Sequence, residues 1–305
     1  PGEFLPAKTF ANRCESPRTG VGPFTNEPYP DVQGSYVDEN NFLRSWTNDT
    51  YLWYDEVPDL NPADYSDAIA YFGLLKTSAT TASGAPKDKF HFWYDTDEWN
   101  QLSESGIVAG YGAAWYIAED QPPREIVIAY VEPGSPAAAA GLERGDEVLQ
   151  IDGEDAVNGN TGAAIDALNA GLSPASEGES HAFMFRKRSD DSTVEVTLTS
   201  DQIVTSPVQN AQVINGDVGY ILFNDHIATA ESALIDAFET LAAQSVSDLV
   251  LDLRYNGGGY LAIASQVVYM IAASQTAGQV FERITFNDKH PTTDPTTGAN
   301  LEPMP

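Results

Sequence analysis

The sequence predicts a multidomain α+β chain, and three observations carry that expectation. Hydrophobic residues recur near helical spacing between Glu39 and Leu75, the pattern gives way to alternating, turn-punctuated runs from residue 106, and after Pro207 two apolar runs flank a helical one. The chain divides accordingly into an extended N-terminal arm over 1–38, a small helical N-terminal domain over 39–105, a strand-rich domain with two helices over 106–200, and the first part of an α/β core over 207–305. A length of 305 residues with 42% hydrophobic content suffices to fill several cores.

The arm is rich in Pro, Gly, Asn and Asp. In the helical domain Phe42, Leu43, Trp46 and Trp53 mark a first helix, thickened by Tyr51, Leu52 and Tyr54 and ended by Pro58. Ser66 can cap a second helix with Ile69, Phe72 and Leu75 on one face. A polar loop, "TSATTASGAPKD", then leads to "KFHFWYD", which reads as an aromatic strand.

The next region has a recognisable order. Val127 to Val131 is a strand, Pro133-Gly134 turns it, and Ser135-Pro136 opens a short Ala-rich helix that Gly141 ends. Gly145-Asp146 makes a further turn, and Val148 to Ile151 is a strand running into the turn Asp152-Gly153. These residues resemble a PDZ domain, a β-sandwich or barrel with two helices. The rest follows in register: Thr161 to Leu172 as the groove helix, then "HAFMFRKR" and "TVEVTLT" as a closing hairpin. Such a groove adds a peptide as a strand to a sheet edge and captures its terminal carboxylate on backbone N–H groups. By that resemblance Gly110, Tyr111, Gly112 and Ala113 form the carboxylate loop, with the Tyr111 N–H aimed at the ligand. Ala164 and Leu168 then line a modest apolar pocket.

In the last region Val218 to Phe223 is a strand and Ala230 to Gln244 a helix with Leu234, Phe238 and Leu241 on one face. Leu249 to Leu253 is a buried strand. This is a βαβ unit, which implies a parallel sheet covered on both faces. The second strand runs through Asp252 and Arg254 into Asn256, Gly257, Gly258 and Gly259, and then into a helix.

A glycine-rich corner between strand and helix admits two chemical readings. Gly257-Gly258-Gly259-Tyr260-Leu261-Ala262 fits G-x-G-x-x-A, with Glu282 about twenty residues on, as dinucleotide binding wants. Alternatively, the N–H groups converge on the oxygen that turns negative when an acyl carbonyl is attacked. The order PDZ domain, "GYILF", helix, "DLVLDLRYNGGG" is similar to the C-terminal processing peptidases, or tail-specific proteases, a serine peptidase family. The resemblance implies oxyanion donors at Gly258 and Gly259, support from Asp252, Arg254, Asn256 and Gly257, and a partial α/β catalytic core. "NNFLRSWTNDTYLWYDEVP" resembles the N-terminal domain of bacterial members. Asp252 and Arg254, two apart on a strand, share a face and read as a structural pair.

The family's Ser–Lys dyad is not found. Ser265 follows the glycines too soon, and the lysine after them is Lys289, in a polar loop. The expectation is that both residues lie beyond Pro305, so no nucleophile is assigned. His226 and His91 read as ordinary structural or surface histidines, without metal or triad spacing. The implied activity is cleavage of protein substrates recognised by their C-terminal tails. The alternative is a non-catalytic PDZ scaffold with an incomplete core.

Composition narrows the partners. With 45 acidic against 15 basic residues the formal charge is −30, which repels nucleic acid and anionic lipid. The single Cys14 makes no internal disulfide or Cys-based zinc site, and no run reaches membrane-spanning length. No metal or other cofactor is expected. The resemblance implies a bacterial periplasmic, cell-surface or secreted location, and the sequence assigns no oligomeric state.

Overall fold

The computed structural model describes residues 2–23 and 25–304. They form two compact units, Pro1–Asp97 with Ser274–Pro305, and the continuous stretch Glu98–Ala273.

In unit 1, β1 (Arg13–Cys14) pairs in parallel with β2 (Val32–Gln33) and leads into α1 (Tyr36–Thr50). The Ser35 hydroxyl caps α1 by accepting the Asp38 N–H at 3.3 Å. The expected first helix therefore starts earlier and stops at Thr50; Tyr54–Glu56 is only a 3-10 turn. Its buried face is polar: Asn40, Arg44, Ser45 and Thr47 point inward, whereas Trp46 is exposed. Asn40 Nδ2 donates to the Pro62 and Tyr65 carbonyls at 3.0 and 2.7 Å. Arg44 Nε donates to Asp59 at 2.6 Å, and its guanidinium lies over the Phe4 ring.

Helix α2 (Ala68–Leu74) is capped by Asp67 and not by Ser66, because one Asp67 oxygen accepts both the Ile69 and Ala70 N–H groups. It buries Tyr71 and the following Leu75 and leaves Ile69 exposed. "KFHFWYD" is not a strand. No neighbouring strand among the described residues takes up its backbone groups, and Phe90 is 84% exposed. His91 anchors it, with Nε2 2.8 Å from the Phe72 carbonyl oxygen and the two rings stacked at 4.0 Å.

Residues 274–305, assigned to the α/β core by sequence, group with unit 1. Asn287 Nδ2 donates to the Asp49 and Tyr51 carbonyls at 2.8 and 3.0 Å, satisfying oxygens that the end of α1 leaves open. Lys289 Nζ donates to the Asn48 carbonyl, and His290 Nε2 lies 2.9 Å from Asp49 Oδ1.

The short α3 (Thr96–Asn100) precedes the strands of unit 2: β3 (Ile107–Gly110), β4 (Ala113–Glu119) and β5 (Glu125–Val131). Helix α4 (Pro136–Ala139), strands β6 (Glu147–Ile151) and β7 (Glu154–Asp155), and helix α5 (Gly162–Leu172) follow. Then come β8 (Ser180–Arg186), β9 (Thr193–Thr199) and β10 (Asp201–Val204). The main sheet runs β4-β5-β6-β8-β9 with β7 added to β6, and β3 pairs with β10. Alternation on β8 sends Phe183 and Phe185 inward onto Ile128, Val148 and Ile151. Burying each of these side chains contributes about 1.5–3 kcal/mol.

The remainder of unit 2 is β11 (Val208–Ile214), β12 (Val218–Phe223), α6 (Ala230–Ala242), β13 (Asp248–Asp252) and α7 (Leu261–Ala272). β12 and β13 are parallel, with Leu222 opposite Asp252, and α6 is their crossover. The sheet is mixed, because β11 joins β12 antiparallel. Helices α6 and α7 pack on the face bearing Ile221 and Phe223. On the opposite face Leu222 is buried but Val250 stays exposed, so the expected cover of that face is incomplete among the described residues. No helix of the described residues is long and apolar enough to cross a membrane.

Candidate functional site

The glycine turn is built by its own sequence. Asp252 accepts the Arg254 N–H at 3.1 Å, Arg254 Nε at 2.9 Å and the Tyr220 hydroxyl at 2.6 Å. The Arg254 guanidinium holds the Asp252 carboxyl well below the usual range. This is a brace that bends the chain out of β13. Asn256 then spans the turn: its Nδ2 donates to the Phe223 carbonyl at 3.1 Å, and its Oδ1 accepts the Gly258 N–H at 2.8 Å. The Gly258 donor is thus engaged inside the loop. Among the described residues no acceptor pairs with the N–H of Gly257 or of Gly259.

The glycines are required for different reasons. Gly258 and Gly259 have φ of +96° and +127°, but a Cβ would meet nothing at Gly258 and lie 2.5 Å from the His226 carbonyl oxygen at Gly259. The group that comes close at Gly259 is therefore this chain's own backbone. His226 N–H donates to the Gly258 carbonyl at 2.9 Å, and the Tyr260 N–H donates to the His226 carbonyl at 2.7 Å. His226 thus meets the turn through its main chain; its ring packs on Phe223 and Nδ1 is buried without a partner. Tyr260 starts α7, and its hydroxyl donates to Glu104 Oε1 at 2.7 Å.

The second feature is an open sheet edge. β4 pairs with β5 on one side and, among the described residues, with no strand on the other. In the loop before it, Gly112 has φ +74°, and a Cβ there would come 2.2 Å from Ser135 Cβ. Gly110 ends β3 opposite Asp201, and Ala113 begins β4 opposite Val131. The Tyr111 ring turns inward against Phe183, and burial pushes its hydroxyl up to about 12. Its carbonyl accepts the Ala137 N–H at 2.9 Å, tying the loop to α4. Ala164 and Leu168 are buried, Leu168 within the core cluster. Large apolar side chains left exposed here are Ile165 on α5 and Tyr116 and Ile117 on β4, which sequence reasoning missed. Trp115 Nε1 donates to the Leu172 carbonyl at 2.9 Å, linking β4 to the end of α5.

Three family models match successive parts of the chain. Residues 38–95 match the peptidase S41 N-terminal domain, 127–173 a PDZ domain and 217–302 peptidase family S41. Over these segments the chain resembles peptidase family S41. A carboxyl-terminal-processing protease of Picosynechococcus is 30% identical over 184 residues, covering 58% of this chain and 41% of the relative. Carboxyl-terminal-processing peptidase 2 of Arabidopsis thaliana chloroplasts is 28% identical over 244 residues, covering 76% and 44%. The chain thus spans under half the length of these relatives. A Bacteroides fragilis structure described as an S41 protease shares the fold, with TM-score 0.54 at 23% identity over 92% of this chain and 68% of that one.

A buried acid joins the two features. Glu132 donates its N–H to the Gly112 carbonyl at 2.7 Å, and its carboxylate accepts the Ser206 N–H at 3.2 Å. The next carbonyl, of Pro207, accepts the Asn224 N–H at 2.8 Å, two residues before His226. Burial raises the Glu132 carboxyl, and burial raises that of Asp225. The signal for Glu132 was available: a charge closing an apolar strand. The dinucleotide reading has no support, since Glu282 pairs with Met304 in unit 1 and ends no strand after α7. Among the described residues no cluster of His, Cys, Asp and Glu could hold a metal ion.

Proposed function

We propose that the protein is a C-terminal processing serine endopeptidase. It captures the C-terminal tail of a protein substrate along the free edge of β4, with the terminal carboxylate at Gly110–Ala113 and Ile117 and Ile165 as apolar contacts. It cleaves where the Gly257–Gly259 turn supplies oxyanion donors. One observation carries this reading: the continuous unit 98–273 holds both an unpaired strand edge and a glycine turn with N–H groups left without acceptors. The serine and lysine are supplied from beyond residue 305, so these residues alone bind and do not hydrolyse. Family kinship further supports work in the bacterial periplasm, at the cell surface or outside the cell.

The test is calorimetric titration with two peptides of the same apolar C-terminal sequence, one a free acid and one amidated. The free acid binds about tenfold more tightly, the worth of one set of charge-assisted contacts. Equal affinities would overturn tail capture, and turnover by these 305 residues would overturn the placement of the nucleophile. One observation favours the scaffold alternative: the Gly258 N–H is already bonded to Asn256. Cleavage of a tailed substrate by the full-length gene product decides between the two.

A further inference from the structure

A cavity of about 500 Å³ lies beside the glycine turn, walled by β4, β5 and the Arg254–Tyr255 corner. Arg144, Arg188 and Arg254 line it, in a chain with 15 basic residues and a formal charge of −30. A surface made acidic for solubility gives no reason to gather three guanidinium groups on one cavity.

These arginines are placed by the fold. Arg144 Nη1 donates to the Ala129 carbonyl at 3.1 Å and to the Tyr255 hydroxyl, and Arg254 lies 5.7 Å from the Tyr255 ring. The Arg188 stem crosses Gly145, where a Cβ would come 2.4 Å from its Cδ, and the Arg188 N–H is fixed on Asp146 at 3.0 Å. The charges around the cavity do not cancel. Arg254 is neutralised by Asp252 and the wall residue Glu147 by Arg186, while Glu125 has no basic partner among the described residues. Arg144 and Arg188 have no carboxylate partner among the described residues.

We propose that this cavity is a subsite for an acidic polypeptide segment, whose side-chain carboxylates seat on Arg144 and Arg188. The proposal deepens the protease reading: the chain that walls the cavity at Arg254 and Tyr255 runs straight on through Asn256 into the glycine turn, so the segment belongs to the polypeptide being processed. A peptide spaces its carboxylates along a backbone and can meet both arginines while avoiding Glu125 and Glu147. A compact polyanion brings its whole charge against those two carboxylates, and planar forks suit paired carboxylate oxygens.

The probe is acetyl-triglutamyl amide against its triglutamine analogue, titrated by calorimetry in roughly 0.15 M salt, where the field of distant charges is screened beyond about 8 Å. The glutamyl peptide binds and the glutamine one does not. Arg188→Ala weakens binding about tenfold, the loss of one charge-assisted contact. Arg188→Glu abolishes it and Arg188→Lys restores part of it, all at unchanged melting temperature. Equal binding of the two peptides, no binding of either, or indifference to Arg188 overturns the proposal. Tighter binding of inorganic pyrophosphate than of the glutamyl peptide also overturns it, by making the cavity a compact-anion site. Neither peptide ends in a free carboxylate, so the β4 groove is not needed for binding. Failure here with intact tail capture removes this proposal alone, and the converse result removes tail capture alone.

Discussion

Gly259→Ala tests whether the glycine turn is held by its contact with His226. The new Cβ would sit 2.5 Å from the His226 carbonyl oxygen and 2.9 Å from its carbon, at φ +127°. The backbone strain costs about 1–3 kcal/mol. Relieving the overlap pulls His226 away from Gly258 and Tyr260, and the two bonds lost there contribute about 0.5–1.5 kcal/mol each. The sum is about 2–6 kcal/mol, a large share of the total stability of a domain of this kind. Two controls separate the terms. Gly258→Ala meets only the strain of φ +96°, because the space around it is open. Gly257→Ala meets neither a positive φ nor a close neighbour. Urea unfolding followed by tryptophan fluorescence therefore ranks the variants 257, 258, 259 in rising cost, the first within about 1 kcal/mol of wild type. Equal losses for Gly257→Ala and Gly259→Ala would refute the reasoning.

Three further outcomes are expected. The Asp252 carboxyl is depressed by Arg254, so its stabilisation is present above the unfolded value near pH 4 and lost as pH falls toward the folded value; Asp252→Asn flattens acid unfolding in that window, and an unchanged acid limb counts against the brace. Glu132 is shifted upward by burial, so the folded state holds its proton more tightly than the unfolded chain and stability falls as pH climbs from about 4.3; Glu132→Gln removes that fall, as melting temperatures across pH 4–8 would show. Gly112→Ala drives a Cβ to 2.2 Å from Ser135 Cβ, costing about 2–4 kcal/mol and abolishing tail-peptide binding; wild-type binding at an unchanged melting temperature would contradict it.

The parts legible in the sequence are those whose signals are local. Strand β5, the Ser135-capped α4, helix α5 and the β8–β9 hairpin all lie where turn glycines and alternation put them, and β12, α6 and β13 were found within about two residues, the usual slack of helix and strand ends. What escaped depends on distant partners. The inward face of α1 is polar because the Pro62, Tyr65 and Asp59 groups wait for Asn40 and Arg44. "KFHFWYD" has the composition of a strand but, among the described residues, no sheet to join. In the site, the glycine corner was read correctly as a strand-to-helix turn. The bond from the Gly258 N–H to Asn256 is local, two residues apart, and matches the support expected of Asn256, whereas His226 filling the space beside Gly259 follows from approach in three dimensions and leaves no mark in spacing.

The grouping of residues 274–305 with the N-terminal unit sets an order for folding during synthesis. Unit 2 is continuous, and the contacts described within it need no residue after Ala273. Unit 1 is not: the carbonyls of Asp49 and Tyr51 wait for Asn287, more than 230 residues downstream. The end of α1 therefore waits for this partner on the ribosome while the whole of Glu98–Ala273 emerges.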